Sequence, residues 1–456
     1  MLALSRRRTL AALASLAASS ALASLSCIPS SGDEPVVGPQ QSAGPLAPPV
    51  AAGGFVVHEW GTFTSLQGSD GASLDGLQHE TEAVPEFVHT NVRAEQSPFA
   101  ELGDASRDVP SVRGVRSKME TPVIYFYSPT ERRVSVEVDF VGGLLTHWYP
   151  RYAAASPEIT RVAGRDQPVD MRQLSKSTLR WELDLTPASG AAPTEIPAVD
   201  ADDAWQFARE TKAATVRTAP ARQGAQSSAT EAEHYVFYRG LGRLQLPMQV
   251  VSAGRGFTVV VNDGDTPIPA AFVLDMRERQ GRFQQLPELA PHVSHAVAME
   301  TVPLRPKAEL MGALEKEVLQ ALTARGLFED EARAMVRTWS RAWFASEGTR
   351  VLYLVPAEVT ERVLPMRLDP SPDQLVRVLV GRHEYLTPET EDRAAALLRD
   401  RTARDPKKAR AAAEGLGHFG RFLEPVVRRV IQRTDDAVVR RSGGEVLAAL
   451  GVARGG

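Results

Sequence analysis

The chain has 456 residues, with 52 Lys and Arg against 56 Asp and Glu, and it contains a single cysteine. This length exceeds what one hydrophobic core usually serves, so we expect two or three domains. The slight acidic excess argues against nucleic acid and against charge-driven attachment to an anionic membrane as partners, because both call for a basic face.

Residues 1–26 have the composition of a signal peptide. Three arginines at positions 6–8 precede an uncharged run of Ala, Leu and Ser over residues 10–25. The run is shorter than the ~20 residues that a membrane-spanning helix needs, and the combination is typical of a secretory signal. Residues 5–10 also resemble a twin-arginine export signal, with an ordinary Sec signal as the alternative. Cleavage leaves 49 basic and 56 acidic residues, a net charge of −7.

Cys27 lies where such a signal would be cleaved. This placement resembles a bacterial lipoprotein signal, in which the cysteine becomes the lipid-bearing first residue. The match is imperfect, because Leu25 stands at −2 where the usual pattern has it at −3. Ala21 and Ala23 also offer an ordinary small-x-small cleavage site. We predict lipidation at Cys27, a membrane as partner through the lipid, and a periplasmic or cell-surface location.

Residues 27–54 are predicted to be a flexible tether. They consist largely of Pro, Gly, Ser and Ala, and they contain no aromatic residue. Such a segment buries too little apolar surface to offset the entropy that ordering would cost. As a random coil it would span roughly 30 Å on average.

Residues 55–303 are predicted to form a β-rich domain, a sandwich or a barrel-like fold. Short runs of β-forming residues alternate there with Gly and Pro turns, and helical patterning is scarce. The predicted strands cover residues 55–66, 121–127, 134–140, 179–185, 235–238, 248–251, 257–261 and 270–274.

The segment 304–386 is predicted to mix helices and strands. Pro306 begins a helix with leucines at a spacing of four, Asp330 is the expected N-cap of a second helix, and residues 349–355 and 375–380 have the composition of strands. Residues 387–456 are predicted to be helical, beginning at the N-cap Thr387. The expected fold class is therefore α+β, with a β-rich N-terminal part and a helical C-terminal part.

The helical tail resembles a HEAT-type repeat over residues 405–451. Residues 415–417 (Gly-Leu-Gly) and 449–451 (Ala-Leu-Gly) stand 34 positions apart, and helix and turn signals alternate between them. Stacked repeats normally need about three copies for stability, so a plain helical hairpin is the alternative.

Three phrases of the chain are similar to those of a family of exported bacterial proteins without an assigned activity. The phrases are HEWGTFT at residues 58–64, KMETPVIYFY at 118–127 and GRHEYLTPE at 381–389. The resemblance covers residues 55–390 and fixes no function. It carries no catalytic residue to this chain.

No strong catalytic motif is present: the chain has no HExxH, P-loop, dinucleotide-binding glycine pattern or GxSxG. Histidines are concentrated near the start of the β-rich segment, and carboxylates lie beside some of them, a donor set that suits zinc. On a regular strand, however, neighbouring His and Glu side chains point to opposite faces. Hydrogen-bonded histidines of a β domain are the simpler interpretation. The metal candidates are His58, His79, His89, His147, Glu59 and Glu82.

Three further sequence features are considered as candidate functional sites. Residues 262–265 (Asn-Asp-Gly-Asp) fit a hairpin turn better than a calcium loop, because the closing Glu of an EF-hand is missing. Residues 382–384 (Arg-His-Glu) are expected at the solvated end of a strand, with a small polar site as the alternative. Trp339 and Trp343 are expected in a helix core or a domain contact.

Two functional hypotheses follow from the sequence. The first is a non-catalytic, lipid-anchored binding or structural protein of the cell envelope, with no cofactor and with an envelope protein or a polysaccharide as its partner. The second is an exported, metal-dependent enzyme, a hydrolase, with a divalent metal held by the histidines and carboxylates of the β-rich domain.

Overall fold

A computed structural model describes residues 54–79, 84–91, 112–157, 169–191, 193–219 and 230–450. The predicted signal peptide, Cys27, nearly all of the tether and Glu82 lie outside the described residues. All described residues belong to a compact unit that spans Leu46–Gly456.

Strands supply most of the first three quarters of this unit, and helices supply its end. The strands are β1 Val56–Gln67, β2 His89–Thr90, β3 Val112–Arg113, β4 Ser117–Tyr127, β5 Arg132–Val141, β6 Gly143–Tyr149, β7 Ala154–Ser156, β8 Val169–Asp170, β9 Lys176–Thr186, β10 Thr215–Thr218, β11 Ala232–Glu233, β12 Val236–Gly242, β13 Met248–Gly254, β14 Phe257–Asn262, β15 Ala271–Met276, β16 Gln280–Leu286, β17 Ser294–Ala298, β18 Arg305–Pro306, β19 Gly348–Leu354, β20 Met366–Asp369 and β21 Gln374–Tyr385.

Eight α-helices and three short irregular helices join these strands or follow them within the described residues. The α-helices are α1 Ala204–Ala208, α2 Lys307–Thr323, α3 Glu329–Ser340, α4 Ala357–Val363, α5 Pro388–Asp400, α6 Pro406–Gly417, α7 Leu423–Arg433 and α8 Ala437–Ala449. Met299–Thr301 and Gly420–Phe422 form 3-10 turns, and Arg341–Ala345 form a π-helical turn that continues α3.

A ten-stranded sheet forms the centre, in the order β18-β16-β15-β19-β21-β1-β4-β12-β6-β2. Strand β1 runs parallel to β21 and antiparallel to β4. Eleven of the twelve residues of β1 are buried, so both faces of this strand are covered. A strand in that position needs apolar residues on both sides, which explains its nearly continuous run of β-forming residues.

The two faces of the central sheet border different cores. One face packs on a second, six-stranded sheet through Phe63, Phe126 and Trp181. The other face borders α2 and α3, and Trp60 of β1 belongs to the same core as Leu314 and Met335 of the helices. The alternation of side chains along β1 thus decides which residues face the second sheet and which face the helices.

The helical tail packs on the end of the central sheet. Leu66, near the end of β1, shares a third core with Leu398 of α5, Val426 of α7 and Val439 of α8. No helix in the described part of the chain is long and apolar enough to cross a membrane.

The α+β class is confirmed, with strands concentrated in the N-terminal part and helices in the C-terminal part. Strands β19 and β21, from the predicted mixed segment 304–386, pair directly with each other and with β15 and β1 of the predicted β-rich segment 55–303. A boundary at residue 303 therefore does not separate two sheets.

Two local predictions were wrong. Phe328, not Asp330, is the N-cap of α3, because its backbone N–H donates to the Glu331 side chain at 2.8 Å. Residues 262–265 do not form a hairpin turn, because β14 and the following β15 belong to different sheets. The Asn262 amide instead donates to the carbonyl oxygen of Thr266 in this connection and to those of Leu289 and Ala290, which follow β16.

Candidate functional site

A cavity of about 1190 Å³ lies where the central sheet meets the π-helical turn and the helical tail. Its floor comes from three strands of the sheet, namely Glu120 of β4, Arg239 of β12, and Arg382 and Glu384 of β21, with β1 between β21 and β4. Arg421, from the 3-10 turn before α7, completes this floor. Elements far apart in the sequence therefore build one concave surface.

The strand register brings the floor residues together. Arg382 and Glu384 are two positions apart on β21, so both side chains face the same side of the sheet. Arg350 of β19 lies directly opposite Glu384 in the antiparallel pair, and Thr64 of β1 lies beside Arg382 in the parallel pair. This face is the one that turns toward the helices.

Arg350 connects the floor to the π-helical turn, which forms part of the cavity wall. Its Nε lies 2.9 Å from a Glu384 carboxylate oxygen, and the side chain is fully buried. Its Nη atoms donate to the carbonyl oxygens of Ala342, Trp343, Ser346 and Glu347 at 2.8–3.1 Å. A cation at the carbonyl end of a helical turn is stabilising, so Arg350 fixes the π-helical turn over the floor.

A second ion pair joins the sheet to the tail. Arg421 donates to both carboxylate oxygens of Glu120, and the hydroxyl of Thr64 donates to the same carboxylate. Burial by itself would raise the pKa of Glu120, but the charges of Arg421 and Lys118 outweigh burial and lower this pKa to about 2. Glu120 is therefore ionised at neutral pH.

Glu384 is ionised for a similar reason. Burial favours its neutral form, but the charges of Arg350 and Arg382 prevail and lower its pKa. Two buried carboxylates thus face three buried arginines, and these five groups carry a net charge of +1.

Arg382 has unused hydrogen-bonding capacity. Its Nε donates to Glu384 at 2.7 Å and its Nη2 contacts the Ser346 hydroxyl at 3.4 Å. Its Nη1 has no hydrogen-bond acceptor among the described residues, although the side chain is 4% exposed and lines the cavity. Burial, together with the neighbouring Arg421 and Arg350, lowers its pKa to about 10 despite the opposing effect of Glu384.

The rim of the cavity carries charges of both signs. Arg255, Arg341 and Arg393 are exposed there and make no ion pair with the residues that the structure describes. Glu347 and Glu389 are also exposed at the rim. The excess of buried positive charge is therefore a property of the floor.

The expectation that residues 382–384 form a solvated strand end was wrong. Arg382, His383 and Glu384 are only 2–5% exposed, because β19, the helical tail and the neighbouring sheet cover them. His383 points to the opposite face from the cavity, where its Nδ1 lies 2.7 Å from the Ser65 hydroxyl. Burial lowers the pKa of His383 to about 4, with Glu384 opposing the shift.

The four candidate histidines do not converge. His58 on β1 and His147 on β6 are separated by three strand-to-strand steps, about 14 Å at the usual spacing. His58 binds Glu331 of α3 at 2.8 Å, His79 binds Glu424 of α7 at 2.7 Å, and His89 binds Glu231 at 2.9 Å. The Nδ1 of His147 contacts the hydroxyl of Thr146 at 3.0 Å.

Glu59 serves a different network from its neighbour His58. Its carboxylate accepts a hydrogen bond from Arg377 at 2.7 Å and another from the Tyr238 hydroxyl. Within the part of the chain that the structure describes, no three His, Cys, Asp or Glu side chains form a group that could hold a metal.

The two tryptophans of the helical stripe contribute to the cavity wall. Trp339 and Trp343 are buried and stack with their ring centroids 6.1 Å apart. Trp339 lines the cavity, whereas Trp343 belongs to the core behind it.

Sequence reasoning missed Glu120, Arg239, Arg350 and Arg421. A signal was nevertheless available, because Glu120, Arg239 and Arg382 each lie in a strand that also contains a run of apolar or aromatic residues. Charged residues inside such strands are costly to bury unless they are paired, so they mark positions where charges from separate strands meet.

Comparisons with known proteins show no family for this chain. No protein-family model and no curated protein matches the chain. Among solved structures, the yeast delta-COP-I mu-homology domain complexed with Dsl1 WxWxV peptide is similar over 73% of this chain and 98% of that chain. The identity is 8% and the TM-score is 0.25, a likeness too low to support an argument about fold or function.

Proposed function

We propose that this protein is an exported, lipid-anchored binding protein of the cell envelope, and that its cavity takes a ligand with an anionic group. The signal-like residues 1–26, Cys27 and the tether composition of residues 27–54 support the envelope location. The cavity and its arginine-rich floor support the binding role.

The proposed negative charge of the ligand rests on the surroundings of Arg382. Its side chain is 4% exposed, and Nε and Nη2 have partners in Glu384 and Ser346, whereas Nη1 has no acceptor among the described residues and is left to the cavity that the side chain lines. A carboxylate or phosphate oxygen at Nη1 would form a charge-assisted hydrogen bond there, which is stronger than a bond between neutral groups. The nearby guanidiniums of Arg421 and Arg350 add positive potential at the same point.

The state of the floor carboxylates favours binding over acid–base chemistry. A general acid needs a carboxyl that keeps its proton near neutral pH. Glu120 and Glu384 instead have lowered pKa values, and each is held by arginines. Their geometry suits the positioning of Arg421 and Arg382 as anion-binding groups.

A conservative substitution tests this function. Arg382→Lys keeps the charge but removes the second donor arm that faces the cavity. Arg209→Lys is the matched control, because the largely buried Arg209 also pairs with a glutamate, Glu233, but does not line the cavity. Isothermal titration with acetate and inorganic phosphate at constant ionic strength should give binding to the mature wild-type chain.

We expect Arg382→Lys to weaken binding of both anions about tenfold, since a hydrogen bond to a charged group contributes roughly 1.5–3 kcal/mol. Arg209→Lys should leave the dissociation constants unchanged. Equal affinities for the wild-type chain and Arg382→Lys would contradict an anion site at the floor.

A further inference from the structure

We infer that the ligand is an amphipathic organic anion, whose acidic group lies on Arg382 and whose aromatic or other apolar body lies against the cavity wall. This inference rests on the proposed function and adds the chemical class of the ligand. It follows from the size of the cavity and from the aromatic side chains beside the floor arginines.

Aromatic rings lie next to the anion-binding groups. The guanidinium carbons of Arg421 and Arg382 lie 5.1 and 5.7 Å from the ring centroid of Phe422, which is half-buried and lines the cavity. Phe419 also lines the cavity, with Arg393 located 5.5 Å from its ring centroid. An acid bound at Arg382 would therefore have aromatic surface within reach of its next few atoms.

The opposite part of the wall is also apolar and is held in place. Trp339 is 5% exposed and stacks on Trp343 with the two rings 10° from parallel. Met276 of β15 and Tyr385 of β21 also line the cavity. Because these side chains belong to the buried cores, the wall is formed before any ligand arrives.

The volume excludes a bare inorganic anion as the fitting occupant. A cavity of about 1190 Å³ is somewhat larger than the usual ligand site, which measures about 300–1,000 Å³. A single acetate or phosphate would leave the apolar wall in contact with water. An apolar body that displaces this water gains free energy in proportion to the apolar surface it covers.

The charged residues of the rim contribute little to the selection of an anionic ligand. Arg341, Arg393, Glu347 and Glu389 are all exposed there, so the rim carries both signs of charge. Recognition of the acid is thus assigned to the buried floor, and recognition of the body is assigned to the aromatic wall.

The test compares three probes that separate the acid from the body. These probes are 2-naphthoate, acetate and the neutral 2-naphthalenemethanol, titrated calorimetrically into the mature chain at constant ionic strength. We expect 2-naphthoate to bind at least about tenfold more tightly than either of the other two. Acetate has the acidic group without the aromatic body, and 2-naphthalenemethanol has the aromatic body without the acidic group.

Phe422→Leu tests the wall, because it keeps apolar volume and removes the aromatic face. It should lower the affinity for 2-naphthoate several-fold and leave acetate binding unchanged. Phe257→Leu is the matched control, since Phe257 is 43% exposed and lies outside the cavity lining. If Phe422→Leu fails to fold, Phe419→Leu provides the same comparison.

The outcomes distinguish the two proposals. If acetate binds as tightly as 2-naphthoate and Phe422→Leu changes neither affinity, the amphipathic ligand is overturned and the anion site stands. If 2-naphthalenemethanol binds as tightly as 2-naphthoate and Arg382→Lys has no effect, the anion site itself is overturned. Binding of none of the three probes overturns both.

Discussion

The Nε2 of His79 lies 2.7 Å from a carboxylate oxygen of Glu424, although 345 residues separate them in the sequence. The same carboxylate accepts a hydrogen bond from Gln78 at 2.6 Å and another from Arg428 at 2.8 Å. Glu424 belongs to α7, whereas His79 follows the β1 segment. His79, a candidate metal ligand in the sequence analysis, thus connects the segment after β1 to the helical tail.

Removing this carboxylate should destabilise the protein. Glu424→Ala leaves two buried polar side chains, His79 and Gln78, without their shared acceptor, and each such loss costs roughly 1–3 kcal/mol. We expect the free energy of unfolding, measured by urea titration with circular dichroism, to fall by about 2–4 kcal/mol.

The control for this change is Glu414→Ala. Glu414 also pairs with an arginine four residues away, Arg410, but it is 62% exposed. Surface pairs of this kind contribute little, so its loss should change the unfolding free energy by less than about 0.5 kcal/mol. If the two variants have equal stability, the role assigned to Glu424 is wrong.

His383 should make the protein less stable in mild acid. Its pKa is lowered from 6.5 to about 4 in the folded state, so the unfolded chain takes up a proton first as the pH falls. The stabilisation is fully present above pH 6.5 and is lost between pH 6.5 and 4, with an upper bound of about 3 kcal/mol. Unfolding curves at a series of pH values measure this loss.

His383→Asn should flatten the stability profile between pH 6.5 and 4, because Asn can still accept from the Ser65 hydroxyl but does not titrate. Burial also lowers the pKa of His234, but that residue is present in both proteins and cancels in the comparison. His292→Asn, at a histidine that is 63% exposed, is the control. Parallel profiles for wild type and His383→Asn would exclude His383 as the source.

Processing at Cys27 is expected to add a lipid. Mass spectrometry of the mature N-terminus should find Cys27 as the first residue, carrying acyl mass. Cys27→Ala should abolish the acyl mass and release the protein from the membrane fraction, because the lipid is the proposed anchor. A wild-type chain that begins at Ser24 without acyl mass would contradict the lipid anchor and leave the prediction of export standing. A chain that begins with an unprocessed Met1 would contradict both predictions.

The local patterns of the sequence predicted many of the strands and the helical end, but they did not predict the cavity. Strand β1 was predictable because a run of β-forming residues with turn signals after it describes a buried strand by itself. Strand β21 was predicted only as far as residue 380, since the polar residues that follow looked solvated. Their burial depends on Arg350 and Arg421, which come from other elements, and no local pattern contains that information.

Metal analysis addresses the remaining hypothesis for the candidate histidines. Protein purified without added metal should contain much less than one transition-metal ion per chain. The reason is that His58, His79 and His89 each bind a different carboxylate, from separate parts of the fold. A zinc ion needs three or four ligands around one point, which these pairs do not provide.

Elemental analysis by mass spectrometry measures the metal content directly. A chain that carries both His58→Ala and His79→Ala is the comparison. Near-stoichiometric zinc, iron or manganese in the wild-type chain would overturn the expectation. If the double variant then lost the metal, His58 or His79 would be a ligand, since a site of three or four ligands rarely tolerates the loss of one. If it kept the metal, the ligands would have to come from other residues, and residues 262–265 and His383 with Glu384 would be substituted next.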